Sequence, residues 1–362
     1  MSRPNQAGLD LNALRHNLAH ARSLSPQSKV MAVVKANAYG HGAVVVAQAL
    51  EAHTDAFAVA CIEEALELRE AGILAPILLL QGIFEAAELA QASQQGFWVM
   101  IDNEWQMQAL EQAQLATPLQ CWLKIDTGMN RLGIDPVDTD AFYQRLKNTA
   151  NAEDDTVLCT HFASADDLLN NQTVEQINAF SAICENFSAP RSAANSAGLL
   201  GWPESRLEWI RPGYMLYGNS PFGLQPHPNT EALQAVMTLS SAVISIRDVF
   251  PGESVGYAGS WTARRPSRIA TVTIGYGDGY PRLAKNGTPV LVNGQRATLA
   301  GRVSMDMITV DVTDLDNVNI GDEVTLWGKG LPIAEVAEWA GTIGYELTTR
   351  MPGRTRRITV KK

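Results

Sequence analysis

The strongest constraint on the fold is a regular alternation of short apolar, β-branched runs with segments that carry apolar residues at helical spacing. In chain order, the runs are KVMAVVKA, DAFAVACI, APILLLQG, GFWVMID, LQCWLKID, TVLCTHFA, RSAANSAG and LEWIRPGYMLYG. This alternation predicts βαβ crossovers and a parallel sheet, and about eight strands over roughly 230 residues suit a (β/α)8 barrel. An open doubly wound sheet is the alternative, but YGHG, after the first run, lacks the third glycine of its usual fingerprint.

The pattern changes after residue 230. Period-two alternation then runs through TLSSAVISIRDV, SRIATVTIGYGDG, TPVLVNGQRATLAGRV, MDMITVDVTD and GDEVTLWG, with turns at PGE, KNG and VNG. One helical segment, IAEVAEWAG, follows. The sequence therefore predicts an α/β TIM-type barrel over residues 1–230 and a mostly β, largely antiparallel domain over residues 231–362.

Composition argues against several classes of protein. The net charge of −10 disfavours a nucleic-acid surface, because phosphate contacts need an excess of Lys and Arg on one face. The basic tail GRTRRITVKK is expected to be a solvated chain end. No run has the length of a membrane span or the character of a signal peptide, so we expect no membrane partner. The four cysteines form no CxxC pair, which predicts no metal site and favours a reducing cytoplasm.

Polar side chains fall at the carboxyl ends of the predicted barrel strands. They are Lys35, Lys124, Arg131, His161, Asn195, Ser196 and Arg211. In a parallel barrel these strand ends meet at one mouth, so we expect the side chains to converge there. Any one of them could be a satisfied polar residue at a strand end, but two lysines and two arginines together predict an anionic ligand, such as a phosphate or a carboxylate.

Lys35 is the most informative of these residues, because it ends the apolar run within VMAVVKANAYGHG. Burial and nearby cations both lower the pKa of a lysine, and a neutral amine at a barrel mouth suits Schiff-base chemistry. Two chemistries remain open: direct attack on a substrate carbonyl, as in an aldolase, or attachment of the aldehyde cofactor pyridoxal 5'-phosphate. Ser196 and Gly213 offer a phosphate cradle after the last two strands, and Tyr39 lies where it could close the other side.

Seven segments of the chain together resemble the alanine racemase family. They are VVKANAYGHG, LKIDTGMNRLG, THFASADD, RPGYMLYG, VGYAGSW, IGYGDGYPR and GRVSMDM. The resemblance covers nearly the whole chain in the family's order, and the combination is far more specific than any one segment. It implies a barrel followed by a β domain, pyridoxal 5'-phosphate as cofactor and an amino-acid substrate. It also implies a head-to-tail homodimer in which the partner's β domain completes each active site.

The resemblance further implies roles for individual residues. Lys35 matches the Schiff-base lysine, and Tyr257 matches the second acid–base group, contributed by the other subunit. The implied cofactor contacts are Tyr39, Asn195, Ser196, Arg211, Gly213 and Tyr214, with His161 behind Arg211. The implied substrate contacts are Arg131, Tyr276, Met305 and Asp306, with Lys124, which is carbamylated in some members, supporting Arg131.

Two positions depart from the pattern of some family members. Ser304 stands where some members have a cysteine. Some members also place a tyrosine from the last segment near the phosphate, where this chain is expected to offer Gly353.

The activity implied is the interconversion of L-alanine and D-alanine, which supplies D-alanine for peptidoglycan or catabolises it. Three alternatives are an amino-acid decarboxylase of similar architecture, a pyridoxal-phosphate carrier without catalysis and a cofactor-free aldolase. Tyr257 and Arg211 disfavour the decarboxylase. The long β domain disfavours the carrier, and the phosphate cradle disfavours the aldolase.

Overall fold

A computed structural model describes residues 3–360 of the chain. Strand β1 (Gln6–Leu9) and helix α1 (Leu11–Leu24) come first. Eight parallel strands then close into a barrel, in the order β2 (Lys29–Val33), β3 (Ala56–Val59), β4 (Ile77–Leu79), β5 (Phe97–Ile101), β6 (Cys121–Lys124), β7 (Val157–Cys159), β8 (Arg191–Ser192) and β9 (Trp209–Ile210). Each strand comes from one of the eight predicted runs, so the barrel is confirmed and the open sheet is wrong.

Helices cover the outside of the barrel and side chains fill its inside, which is why the strand runs are apolar at nearly every position. The helical elements are α2 (Lys35–Tyr39), α3 (Ala43–Leu50), α4 (Ile62–Glu70), α5 (Glu88–Gln95), α6 (Glu104–Gln112), α7 (Thr139–Asn148), α8 (Gln172–Cys184) and α9 (Ser196–Gly201). The interior is packed, with the rings of Trp122 and Trp209 edge to face at 5.5 Å between centroids. Among residues 3–360, no helix is both long and apolar enough to cross a bilayer.

The second domain is built on one large, mostly antiparallel sheet, as predicted. Its strands are β10 (Met237–Val249), β11 (Ser254–Val255), β12 (Trp261–Thr262), β13 (Ser267–Val272), β14 (Pro289–Val292), β15 (Gln295–Leu299), β16 (Ile308–Asp311), β17 (Glu323–Trp327) and β18 (Arg356–Thr359). The sheet order is β13-β16-β15-β14-β17-β10-β1-β18, and β10 also pairs with β13. Strands β11 and β12 form a separate hairpin. Helix α10 (Ile333–Ala340) matches the predicted helix, and a second helix, α11 (Gly344–Thr349), follows it.

The first strand corrects the predicted domain bounds. β1 pairs antiparallel with β10 and parallel with β18, so residues 6–9 complete the sheet of the second domain and do not belong to the barrel. The segment LDLNALRHNLAHARSL, ahead of the first barrel run, has apolar residues at helical spacing and predicts a helix that starts at Leu9. Helix α1 instead starts two residues later, because the side chain of Asp10 caps it by accepting from the amides of Asn12 and Ala13.

The carboxyl-terminal segment of the second domain lies against the barrel mouth. Nε of Arg357 donates to the carbonyl oxygen of Gly40 at 2.6 Å. Gly40 has a φ of 79°, and a Cβ there would lie 1.8 Å from the carbonyl oxygen of Thr348, so this close approach requires glycine. The basic tail is therefore not simply a solvated chain end, since Arg357 is half-buried and Arg354 pairs with Asp278.

Candidate active site

A pocket opens at the carboxyl ends of the barrel strands and collects most of the predicted site residues. It is lined by Lys35, Tyr39, Lys124, Arg131, His161, Asn195, Ser196, Arg211, Gly213 and Tyr214, among others. These residues lie on or directly after strands β2, β6, β7, β8 and β9. The convergence that the parallel barrel predicted is therefore seen in the structure.

The chain takes a rare conformation immediately after Lys35. Residues Ala36 to Tyr39 are consecutive non-glycine residues with positive φ, between 51° and 54°. Left-handed backbone costs an L-residue about 1–2 kcal/mol, so neighbouring groups must hold this turn in place. Glu64, on α4, accepts hydrogen bonds from the amides of Ala36 and Ala60, both at 2.7 Å. Its carboxylate anchors the turn that brings Lys35 and Tyr39 to the same pocket.

The strained turn leads to a stability prediction. Ala36 is exposed and has a φ of 53°, so Ala36→Gly should relieve the steric cost and raise the free energy of unfolding by about 0.5–1 kcal/mol. The matched control is Ala19→Gly, at an exposed alanine in the middle of helix α1, which should lower stability by a similar amount. Urea denaturation of both variants measures the difference, and a loss of stability in Ala36→Gly would contradict the strain argument.

The surroundings of Lys35 favour its neutral amine. Burial is the main cause that lowers the pKa of Lys35, and the guanidinium of Arg131 lowers it further. The carboxylate of Glu64 acts in the opposite direction, while Arg211 adds to the lowering. A neutral amine is the nucleophilic form of lysine, so the pocket prepares Lys35 to form a bond with a carbonyl carbon.

Arg211 is buried and is held by neutral acceptors. Its Nη1 donates to Oγ of Ser192 at 2.5 Å, and its Nη2 donates to the carbonyl oxygens of Thr160 at 2.7 Å and Ala193 at 3.2 Å. Nη2 also faces Nδ1 of His161 at 3.4 Å. Burial, followed by the charge of Arg211, lowers the pKa of His161 well below its usual value, so the imidazole is neutral. Arg211 thus presents a fixed positive charge that cannot accept a proton.

A small polar cradle lies between α9 and the segment after β9. Oγ of Ser196 accepts hydrogen bonds from the amides of Gly213 at 2.9 Å and Met215 at 3.2 Å, which leaves its own hydrogen for a ligand. A Cβ at Gly213 would lie 2.7 Å from Oη of Tyr39, so the cradle needs glycine. Burial raises the pKa of Tyr39 to about 12, which keeps its phenol protonated as a donor. Asn195 caps α9 with its side chain and fixes the position of Ser196.

The structure corrects the expectation for Gly353, which is exposed, with no atom within 4 Å of the position of an added Cβ. Tyr345 lines the pocket instead, its ring stacked on Tyr214 at 3.6 Å and 6.2 Å from the ring of Tyr39. Gly344 permits this stacking, since a Cβ there would lie 2.1 Å from Oη of Tyr214. The sequence could have pointed to Tyr345, because YELTT in the last segment contains a tyrosine.

The resemblance implies that this pocket binds pyridoxal 5'-phosphate, and the hydroxyl of Tyr345 is then expected to strengthen that binding. Tyr345→Phe should weaken the affinity for pyridoxal 5'-phosphate about 3- to 10-fold, the effect of losing one hydrogen bond. The control is Gly353→Ala, which should bind the cofactor as the wild-type protein does, because the added methyl group meets no neighbour. Titration of cofactor-free protein, followed by visible absorbance, measures both constants. Equal affinities for the two variants would remove Tyr345 from the binding site.

The loop that carries Arg131 is ordered by a single carboxylate. Asp126 accepts hydrogen bonds from the amides of Gly128 and Met129, both at 2.8 Å, and of Arg131 at 3.2 Å. Burial raises the pKa of Asp126, but the backbone donors outweigh it and the net shift is downward. Lys124 is buried beside this loop, and burial lowers its pKa. The backbone of the loop that carries Arg131 is therefore fixed at the barrel mouth, next to Lys124.

The remaining predicted residues lie on the second domain, outside this pocket. Tyr257 is 71% exposed, Tyr276 and Met305 are also exposed, and Asp306 is half-buried. They occupy neighbouring segments: the amide of Tyr276 donates to the carbonyl oxygen of Ser304 at 3.0 Å. The turn of Tyr257 starts beside them, since a Cβ at Gly256 would lie 3.7 Å from the amide of Arg302. A single chain thus carries two separate groups of predicted residues.

A barrel with a lysine of lowered pKa at its mouth, joined to an antiparallel β domain, defines a two-domain barrel enzyme whose pocket suits Schiff-base chemistry. Family models agree, since the alanine racemase N-terminal domain matches residues 9–221 and the C-terminal domain matches residues 236–359. The chain belongs to the alanine racemase family.

Individual relatives are similar over their full length. The catabolic alanine racemase of Pseudomonas putida is 51% identical over 345 residues, covering 95% of this chain and 96% of that protein. The biosynthetic alanine racemase of Pseudomonas aeruginosa superposes with a TM-score of 0.95 at 47% identity, covering 99% of this chain and 100% of that one. The alanine racemase of Bartonella henselae, solved with covalently bound pyridoxal phosphate, gives a TM-score of 0.88 at 32% identity and covers 99% of each chain.

Proposed function

We propose that this protein interconverts L-alanine and D-alanine with pyridoxal 5'-phosphate bound at Lys35, and that it works as a homodimer with shared active sites. The observation that carries the proposal is the arrangement of the barrel mouth. Three features line the same pocket: Lys35, whose pKa is lowered, the cradle formed by Ser196 and Gly213, and the buried guanidinium of Arg211.

The residues of the pocket fit the cofactor. Lys35 would bind its aldehyde carbon, and Arg211 would face its ring nitrogen. Ser196, Tyr39 and Tyr345 would donate hydrogen bonds to its phosphate, together with the backbone near Gly213. When bound, pyridoxal 5'-phosphate withdraws electrons from the α carbon of an amino acid and so acidifies the α hydrogen.

Racemisation removes a proton from one face of the α carbon and adds one to the other. Two acid–base groups on opposite faces do this without turning the substrate over. Lys35 is one of them, and its lowered pKa suits proton transfer near neutral pH. Tyr257 of the partner subunit is the other. Arg131 and the amide of Met305 bind the substrate carboxylate, Lys124 supports Arg131, and Tyr276 and Asp306 border the entrance.

The shared site follows from where the second group of residues lies. Tyr257 is 71% exposed and lies outside the pocket of its own barrel. An exposed tyrosine next to exposed Tyr276 and Met305 is a surface suited to contact, and a second copy of the chain would supply a barrel mouth to cover it. Light scattering should give twice the mass of the chain. A monomer with full activity would contradict this part of the proposal.

One experiment separates this function from its alternatives. The purified protein should be yellow, and borohydride should remove the visible absorbance by reducing the bond at Lys35. In heavy water it should convert L-alanine into D-alanine that carries deuterium at the α carbon. A colourless active protein would favour the aldolase, release of carbon dioxide would favour the decarboxylase, and a yellow but inert protein would favour the carrier.

The physiological direction belongs to the same proposal. We place the reaction in the cytoplasm, where it supplies D-alanine for peptidoglycan or catabolises D-alanine; both kinds of relative align with the whole chain. The four free cysteines, of which Cys121, Cys159 and Cys184 are buried, suit a reducing compartment. Deleting the gene separates the two roles, since a biosynthetic enzyme would leave cells dependent on added D-alanine and a catabolic one would not.

The choice of an arginine at position 211 gives a further prediction. A guanidinium cannot accept a proton, so Arg211 would leave the cofactor's ring nitrogen unprotonated and would limit the electron withdrawal that permits transamination. Arg211→Glu should raise pyruvate formation from alanine by roughly tenfold per racemisation event, which corresponds to about 1.4 kcal/mol of barrier difference. Arg211→Lys, which keeps the cation, is the control and should not raise it. A coupled lactate dehydrogenase assay measures pyruvate, and no increase in Arg211→Glu would count against the idea.

A further inference from the structure

Asp278 is a buried carboxylate outside the barrel mouth. It lies in the 3-10 turn Tyr276–Asp278 of the second domain, and its side chain is 1% exposed. Nη1 and Nη2 of Arg3 donate to it at 2.9 and 3.1 Å. Nε of Arg354 contacts it at 2.8 Å, and the amide of Gly275 donates at 3.0 Å. The two arginines come from opposite ends of the sequence, and we refer to Asp278, Arg3 and Arg354 as the Asp278 cluster.

The same arginines also hold the neighbouring loop. Nη2 of Arg3 donates to the carbonyl oxygen of Asp306 at 3.3 Å, and Nη2 of Arg354 pairs with the carboxylate of Asp306. Asp278 and Asp306 are therefore bridged twice, once by each arginine. The turn with Tyr276 and the loop with Met305 are fixed to each other through this bridge.

Backbone contacts make the turn and the loop one rigid unit. The amide of Tyr276 donates to Ser304 at 3.0 Å, and the amide of Gly277 donates to Met305 at 2.9 Å. A Cβ at Gly275 would lie 2.3 Å from the carbonyl oxygen of Ser304, so the two segments touch backbone to backbone. Any shift of the Asp278 side chain would therefore move Tyr276 and Met305 together.

We propose that the Asp278 cluster positions Tyr276 and Met305 for the active site that they complete in the partner subunit. This inference rests on the proposed function, because it requires those two residues to contact the substrate in a shared site. Asp278 itself touches neither substrate nor cofactor. It acts through the geometry of the turn and the loop, and its charge is needed because two guanidinium groups share it.

Kinetics of Asp278→Asn test the positioning role. The barrel pocket is untouched in this variant, so the yellow colour and the affinity for pyridoxal 5'-phosphate should match wild type. The kcat/KM for alanine should fall roughly 10- to 100-fold, mainly through KM, because the displaced groups bind the substrate.

Asp314→Asn is the matched control, since it breaks an exposed ion pair with Arg265 in the same domain and should leave the kinetics unchanged. Arg354→Ala, at a more exposed member of the cluster, should show the same pattern if Asp278→Asn folds poorly. Normal KM in both folded variants would overturn the inference.

Mixed dimers show where the defect acts. One subunit carries Lys35→Ala and the other carries Asp278→Asn, and the two are co-expressed with different affinity tags. In their heterodimer, the barrel of the Asp278→Asn subunit and the β domain of the Lys35→Ala subunit form one intact site. This heterodimer should recover about half of wild-type activity. A second heterodimer, of one Lys35→Ala subunit and one Tyr257→Phe subunit, is the reference that tests whether active sites are shared between subunits. If only the reference pair recovers activity, the positioning inference is wrong and the shared site stands. If neither pair recovers, the shared site fails, and the inference fails with it.

Discussion

Lys35→Ala should abolish racemisation and the covalent attachment of pyridoxal 5'-phosphate. The variant loses the side-chain amine that lies in the pocket just after the carboxyl end of β2. It also loses one of the two proposed acid–base groups, a change that typically costs 10²–10⁴-fold in rate on its own. With the attachment lost as well, we expect a decrease of at least about 10⁴-fold. The rate of D-alanine formation and the absorbance remaining after dialysis measure the two effects.

The control for this variant lies on the same strand. Lys29→Ala changes an exposed lysine at the opposite end of β2, far from the carboxyl-terminal mouth. It should keep the colour and nearly the full activity. Losing one acid–base group costs about 10²-fold or more, so residual racemisation above about 1% of wild type in Lys35→Ala would argue that another amine serves as the base. Lys124, in the same pocket, would then be the first to change next.

The barrel and its mouth could be predicted because one periodic sequence pattern and one rule of sheet topology determine them. Apolar runs separated by helical segments define the strands, and one rule of parallel sheets brings all their carboxyl ends together. Lys35, Lys124 and Arg211 are separated by long stretches of sequence, and the rule still placed them in one pocket. Tyr257 and Tyr276 could be picked out only through the resemblance, since nothing in a period-two strand pattern marks a tyrosine as part of a site.

Other features depend on contacts that no periodic pattern contains. Residues 6–9 read as the approach to a helix, but they pair with β10 and β18. The left-handed turn at Ala36 exists because Glu64 holds the amide of Ala36 and Arg357 of the second domain holds the carbonyl oxygen of Gly40, although alanine by itself disfavours this conformation. Tyr345 enters the pocket because Gly344 lets α11 pack on Tyr214. In each case tertiary packing overrides a local preference, and the local sequence offers only a weak signal.

The second domain takes part in two sites in different ways. Its carboxyl-terminal segment, with Tyr345 and Arg357, reaches the mouth of its own barrel. Its turns with Tyr257 and Tyr276 lie outside that pocket. One domain that stabilises one pocket and completes another makes each site depend on both subunits of the proposed dimer. A defect in the turns with Tyr257 and Tyr276 should therefore appear in the partner's chemistry, while the barrel of the same subunit still binds cofactor.

Tyr257→Phe is the sharpest test of the two-base mechanism. L-alanine and D-alanine are mirror images with an equilibrium constant of one, so kcat/KM must fall equally in both directions, by about 10²–10⁴-fold. Exchange of the α hydrogen with solvent, measured for each enantiomer, instead distinguishes the two faces of the α carbon. We extend the two-base proposal by assigning the α hydrogen of L-alanine to Tyr257 and that of D-alanine to Lys35. The variant should therefore stay yellow and still exchange the α hydrogen of D-alanine with heavy water, while exchange from L-alanine is lost together with racemisation.

The control for Tyr257→Phe is Tyr143→Phe, which removes a phenol from a partly buried tyrosine on α7 that packs against Phe187. It should exchange and racemise both enantiomers normally. Proton NMR of each enantiomer in heavy water follows exchange, and a chiral separation follows racemisation in the same samples. Equal loss of exchange from both enantiomers in Tyr257→Phe would mean that one base serves both faces. Full activity would place the second acid–base group elsewhere, because no lysine can remove a proton from one face and return it to the other without moving.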